Sequence, residues 1–264
     1  MTAAALVPPL PIPTALRRLL PWALLGVLVA ATIAYPLTAG SVRLGVTWTT
    51  VLVGAALSVG HAACSRGWQA AAALVATVSV VAVTFEAVGL ATGVPYGEYR
   101  YGTGLGPSLL GVPFLVPLAW LMMAWPSWLL ARRLARSRWA RVGWATGIFA
   151  GWDVVLDPQM VQAGYWRWAS PSPGLPGIDA IPLTNLAGWL LAGAVLMTLL
   201  TVLLGRVVPG PARTSDLPPL AALGWMTLGG ALAHAGWLGL PGSAAWGAAL
   251  AVPVLARLAR RARG

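Results

Sequence analysis

Apolar and polar positions along the chain fall into long apolar runs separated by short breaks rich in glycine, proline and arginine. Crossing the ~30 Å hydrocarbon core of a bilayer takes about 20 apolar residues in a helix. The runs at 19–37, 45–63, 69–91, 108–131, 139–157, 184–205, 219–239 and 243–257 meet or approach that length, the last being the shortest. The pattern predicts an all-α polytopic membrane helix bundle of about eight transmembrane helices. No compositional break or internal repeat divides it, so residues 1–264 are read as one integral-membrane domain. The longest connection, 158–183, carries PSPGLPG at 171–177, which argues against a regular element there, and Tyr165, Trp166 and Trp168, which suit a membrane interface.

Composition agrees: 58% of the 264 residues are hydrophobic and 9% are charged. The net charge of +11 comes from arginine alone, set against six acids. The arginines sit between apolar runs, which is a topology signal and not a nucleic-acid footprint. With the N-terminus cytoplasmic, 14 of them (17, 18, 66, 132, 133, 136, 138, 141, 206, 213, 257, 260, 261 and 263) fall inside and 3 (Arg43, Arg100, Arg167) outside. The positive-inside rule therefore places both termini in the cytoplasm of a multi-pass protein of the cell membrane. Arg17 and Arg18 before an apolar run and LTAGS also fit a cleaved signal peptide; the charge count favours a retained first helix. Cys64, the sole cysteine, leaves no internal disulfide or thiolate cluster and reads as a small buried hydrophobe.

The acids change the picture. Glu86 lies five residues, roughly 7 Å, below the outer end of the third predicted helix. Asp153 lies at similar depth in the fifth, and Asp157 follows at i+4 on the same face, with Pro158 expected to end the helix. Asn185, which also fits an N-cap, opens the sixth helix, and His234 lies near the outer end of the seventh. Five polar groups from four helices thus share one depth. An ionisable group in lipid costs at least ~2.5–3.5 kcal/mol, so such groups face the bundle interior and are functional candidates. His61, at the opposite end of its helix, falls outside the group. Gly143, Gly147 and Gly151 form a small-residue stripe on the face opposite the aspartates, which suggests a closely packed, central fifth helix.

A carboxyl desolvated among apolar side chains holds its proton and can donate it. The chain also supplies 15 Trp and 5 Tyr, whose ring faces stabilise cations. Acid, aromatics and interfacial water suit protonation of an alkene and capture of the cation by water. Two other readings use the same residues. A proton-coupled transporter, or a non-catalytic accessory membrane protein, would need intramembrane acids. A membrane prenyltransferase would use the DxxxD spacing of DVVLD (153–157) to hold magnesium and diphosphate.

EAVGLATGVPYGEYRY with GVPFLVPLAW, GWDVVLDPQMVQAGYWRW and GIDAIPLTNLAGW, spread in order over residues 80–192, resemble the integral-membrane carotenoid biosynthesis family that includes carotenoid 1,2-hydratases of bacteria and haloarchaea. The resemblance implies a hydro-lyase that, without a cofactor or metal, adds water across the terminal double bond of an acyclic carotenoid such as lycopene, an isoprenoid. Its implied surroundings are membrane lipid, the carotenoid and other carotenoid-synthesis enzymes, with no nucleic acid. Positions matching the motifs are Glu86, Tyr96, Gly97 and Tyr99; Asp153, Asp157, Pro158, Trp166 and Trp168; and Asn185 and Trp189. Among these, Asp153 is assigned as proton donor and Asp157 or Glu86 as its partner. Tyr96, Tyr99, Trp166, Trp168, Asn185 and Trp189, joined by His234, are assigned to substrate binding. One departure stands out: where relatives carry a tyrosine-rich segment before the third motif, this chain has PSPGLPGIDAIP, a change suited to altered end-group selectivity.

Overall fold

The computed structural model describes residues 13–207 and 212–262, and Arg263 of the charge count lies outside them. Helices dominate. α1 (Thr14–Ala34) ends in a 3-10 turn at Tyr35–Leu37, and α2 (Gly40–Arg66) turns into α3 (Trp68–Thr92) through Gly67 alone. That one-residue turn needs the φ of +98° which glycine supplies without strain. α4 (Leu115–Leu134), α5 (Arg138–Gln162) and α6 (Leu183–Val207) follow. The seventh helix, α7, is broken: Leu217–Gly224 is α-helical, Trp225–Gly229 is a π turn, Gly230–Ala233 is α-helical and His234–Leu238 is again π. α8 (Pro241–Ala262) closes the bundle and is 22 residues long, not the short element expected.

Among the described residues, α1 with its 3-10 turn, α2, α3, α6 and α8 are long and apolar enough to cross a membrane. α4 and α5 carry more polar groups and α7 is segmented. The protein is a helical membrane protein, and among the described residues eight helices overlap the eight apolar runs.

Three boundaries differ from the expectation for physical reasons. The fourth helix begins at Leu115, not 108, because Pro107, Gly111 and Pro113 break helical geometry; Ser108–Leu109 (β2) and Val112–Pro113 (β3) form a tight hairpin instead. Pro158 does not end α5, which runs on to Gln162. A proline removes one N–H and keeps a helical φ, and buried membrane helices absorb that loss, as at Pro21, Pro126 and Pro253. The 171–177 segment does contain a regular element: Gly174–Leu175 (β5) pairs with Ile178–Pro182 (β6). Gly177 makes the turn at φ +77°. A Cβ on Gly174 would overlap the Ile178 carbonyl, so only glycine lets the two strands approach.

α4 is the hub, touching α2, α3, α5, α6, α7 and α8. Its tryptophans and methionines, including Trp120, Met123 and Trp125, are buried all round. α5 is not the central helix: it packs on α4, α6 and α8, while Gly143 and Gly147 are exposed with nothing near their Cβ positions. Only Gly151 of the stripe meets a neighbour, Leu250 of α8. The aspartate face of α5 is buried and the glycine face points outward.

One end of the bundle is tied by Arg66 to Asp216 (3.1 Å) and by buried His61, whose Nε2 meets the Ser215 carbonyl at 2.9 Å. His61 lies at this end, beside Asp216 and away from Glu86, Asp153 and Asp157, as expected. The other end carries a β ribbon: Tyr99–Tyr101 (β1) pairs antiparallel with Trp166–Trp168 (β4).

Candidate active site

The ribbon roofs the site. Successive strand residues point to opposite faces, so Tyr99, Tyr101, Trp166 and Trp168 turn inward while Arg100 and Arg167, directly paired, stay exposed. Tyr99 and Tyr101 both donate hydrogen bonds to Oε2 of Glu86, which projects from α3 and is 4% exposed. Burial, with the Glu86 charge next in weight, pushes both phenols far above their ordinary range, so they remain donors.

Opposite, α5 and α6 build a second polar cluster. The two amide hydrogens of Asn185 bridge the carboxyl groups: Nδ2 lies 3.0 Å from Asp153 Oδ2 and 2.6 Å from Asp157 Oδ2. Trp166 Nε1 donates to the other Asp157 oxygen at 3.1 Å. All three members are at least 97% buried. Asn185 sits inside the first turn of α6 with its side chain committed to the aspartates; it is not an N-cap. Asp153 Oδ1 has no hydrogen-bond partner among the described residues.

Between the clusters lies a cavity of about 340 Å³. Glu86, Asp157 and Asn185 line it together with Tyr96, Tyr99, Trp166, Trp168 and Trp189. Asp153 lies behind Asp157, against β6, so Asp157 is the member of the pair that lines this cavity. Aromatic rings pack in sequence around it: Tyr96 stands edge-on to Tyr99 at 6.0 Å, and Trp189 lies 4.9 Å from Trp120 and 6.2 Å from Trp152. The cavity reaches the outer surface sideways, between the end of α1 (Ile33, Leu37) and α7 (Leu232, Trp237), whose apolar side chains are 50–69% exposed. Trp225 Nε1 bonds Thr32 Oγ1 at 2.7 Å across this gap.

Eight of the ten site residues expected from sequence line the cavity, and Asp153 backs it. His234 does not reach it: fully buried, it bonds Ser243 Oγ (2.6 Å) through Nδ1 and Gln159 Oε1 (2.9 Å) through Nε2. Gln159, which does line the cavity, was missed, as were Tyr101 and Trp120. Tyr101 was findable, since it follows Tyr99 at the strand spacing of two. Nothing in the local sequence marks Trp120. No group of three or more His, Cys, Asp or Glu placed to hold a metal ion occurs among the described residues.

A helical membrane protein with buried carboxyl groups facing an aromatic, lipid-side cavity is the class that fold and site define. The chain belongs to the carotenoid biosynthesis protein family, whose model matches residues 45–253. Over 138 residues it is 38% identical to a bisanhydrobacterioruberin hydratase of Haloarcula japonica, a match covering 50% of this chain and 44% of that protein. No solved structure matches the chain.

Proposed function

We propose that the protein is a carotenoid hydratase, working without a cofactor in the cell membrane with eight spans and both termini cytoplasmic. It would add water across the terminal double bond of an acyclic carotenoid end group. The observation that carries this reading is the Asp153–Asn185–Asp157 bridge opening onto an aromatic cavity that meets lipid between α1 and α7. The likeness to a hydratase of a carotenoid, by that protein's name, adds support.

The end group enters sideways while the rest of the polyene stays in the bilayer. A cavity at the small end of the range for ligand sites holds an end group, not a chain as long as the bilayer core is thick. Asp157 gives its proton to the less substituted carbon of the terminal double bond, leaving a tertiary cation. Asp153 sits behind it, sharing the Asn185 amide and keeping the pair's geometry. The π faces of Trp168, Trp189 and Tyr96 stabilise the cation. Glu86, fixed by two phenols, orients a water whose oxygen attacks the cation; the proton released restores the Asp157 carboxyl. Hydrogen ends on one carbon and hydroxyl on the other.

Expression in bacteria that accumulate lycopene tests this. The expected result is a more polar pigment heavier by one water, lost in Asp157→Asn with lycopene retained. Unchanged pigment, with lycopene and with other acyclic carotenoids, would refute it. The transporter and accessory readings predict that purified protein in liposomes leaves every pigment unaltered.

A further inference from the structure

The polar groups that line the cavity differ in hydrogen-bond state; Tyr96 Oη and Trp120 Nε1 have no partner among the described residues. The acids are engaged by protein: Asp157 accepts at both oxygens and Glu86 Oε2 accepts twice. Where the end of α1 meets α2, two hydroxyls that line the same cavity have no partner among the described residues, Tyr35 Oη and Thr50 Oγ1. Their residues are 7% and 8% exposed.

Thr50 shows that this is a matter of direction. Threonines within a helix ordinarily turn the hydroxyl back to a carbonyl one turn earlier. Thr47 and Thr49 do so, bonding the carbonyls of Arg43 and Gly45 at 2.9 Å each. Thr50, a residue of the cavity wall, does not, and its hydroxyl is left without a partner among the described residues. Thr47, three residues before it on the same face, also meets Tyr165 Oη at 3.2 Å. Because Thr47 spends its proton on Arg43, Tyr165 is the donor, and its oxygen remains an acceptor. The Tyr35 ring is held by the Arg43 guanidinium, 5.3 Å from its centroid, and Arg43 is itself fixed on the Thr38 carbonyl at 2.6 Å. Leu105, from the 3-10 turn after β1, packs in the same buried cluster as Tyr35 and Tyr165.

Buried hydroxyls without partners are costly, and a site with two to four convergent polar groups is what holds an internal water. We infer that Tyr35 and Thr50, with the Thr47–Tyr165 pair beside them, form a water-binding subsite that supplies the nucleophile to the cation formed at Asp157. The site stands at the ribbon end of the bundle, on the wall of the apolar cavity. The inference rests on the hydratase reading, and it separates two steps which that reading joins. Protonation belongs to Asp157; capture depends on the subsite, which supplies the water that Glu86 orients. A cation that meets no water returns a proton from a neighbouring carbon to the carboxylate and becomes olefin again.

Membranes holding the protein and an acyclic carotenoid are incubated in D2O, and mass spectrometry reads the alcohol formed and the deuterium in recovered olefin. Thr50→Val and Tyr35→Phe are expected to keep deuterium incorporation while the alcohol-to-deuterium ratio falls by roughly tenfold. Thr50→Ser, which retains the hydroxyl, should match the wild type. Equal ratios in Thr50→Val and Thr50→Ser would overturn the subsite. So would parallel loss of alcohol and deuterium in both Thr50→Val and Tyr35→Phe with Thr50→Ser unaffected, since that places these hydroxyls in protonation or binding. A wild type that yields neither alcohol nor deuterated olefin from any acyclic carotenoid overturns the hydratase reading itself, a result distinct from a changed ratio.

Discussion

At the scale of single residues, the site is two carboxyl clusters whose partners are chosen by hydrogen-bond count. Asn185 is the only member of its cluster able to donate twice, and both donors are used. Asn185→Leu leaves two buried carboxyl groups without that bridge. A buried acceptor stripped of its partner costs about 1–3 kcal/mol, more when charged, so the variant should melt well below the wild type in detergent and lose hydration. Asn185→Asp keeps the shape yet adds a third acid and should fare no better. Glu86 allows a cleaner measurement. Tyr101→Phe removes one of its two donors, and Glu86→Gln exchanges the accepting carboxyl for an amide. A double-mutant cycle of the two should show a coupling of about 1–3 kcal/mol in stability. A coupling of zero would mean that the ribbon covers Glu86 without holding it.

At the scale of elements, the difference between what was legible and what was not has a physical origin in depth and azimuth. Depth follows from counting residues at 1.5 Å each, and Glu86, Asp157 and Asn185, expected at one level, line one cavity. Azimuth depends on packing and on the helical period. α7 contains two π turns, each adding a residue to the turn and rotating everything beyond it. His234 therefore has the expected height but faces Gln159 and Ser243 instead of the cavity. The same limit hid Gln159 and the hydroxyls of Tyr35 and Thr50. Asn185 was ambiguous for another reason: the short amide that suits a cap also suits a bridge between acids, and only the tertiary partner decides. The ribbon, by contrast, was within reach, since Tyr99 and Tyr101, like Trp166 and Trp168, alternate with single arginines. Close approach between elements gives a prediction at this scale. A Cβ on Gly188 of α6 would lie 2.5 Å from Tyr96 Cδ1, and one on Gly89 of α3 would lie 2.8 Å from Cδ2 of the same ring. The two glycines clamp Tyr96 between α3 and α6. Gly188→Ala must push the ring toward the cavity or force the helices apart, at a cost of about 1–3 kcal/mol. Thermal unfolding in detergent should register that loss, and turnover should fall, because Tyr96 is part of the aromatic wall.

For the whole molecule, charge and the two ends of the bundle make one argument. The ribbon end carries Arg43, Arg100 and Arg167, while Arg66, Arg133, Arg213 and Arg257 lie at the opposite end, where Arg213 N bonds the Ser65 carbonyl and Arg257 Nε the Leu134 carbonyl. On the proposed orientation the second end, with its arginine excess, is the cytoplasmic one. The carboxyl clusters and the hydroxyl subsite then lie just beneath the outer surface, where water is close and the polyene remains in lipid. Cys64, 2% exposed in α2, is the only thiol in the chain, so Cys64→Ala gives a background in which single cysteines report sidedness. Arg100, 79% exposed on the ribbon, and Arg133, exposed in the last turn of α4, are the positions to use. Arg100→Cys should react with a membrane-impermeant maleimide in intact cells, and Arg133→Cys only after the membrane is permeabilised. The reverse pattern would turn the bundle over, put the site at the cytoplasmic face and make the cell interior the source of the water. Reaction of both positions in intact cells would show that the two ends do not lie on opposite sides of the membrane, and the eight-span arrangement would fall with that result.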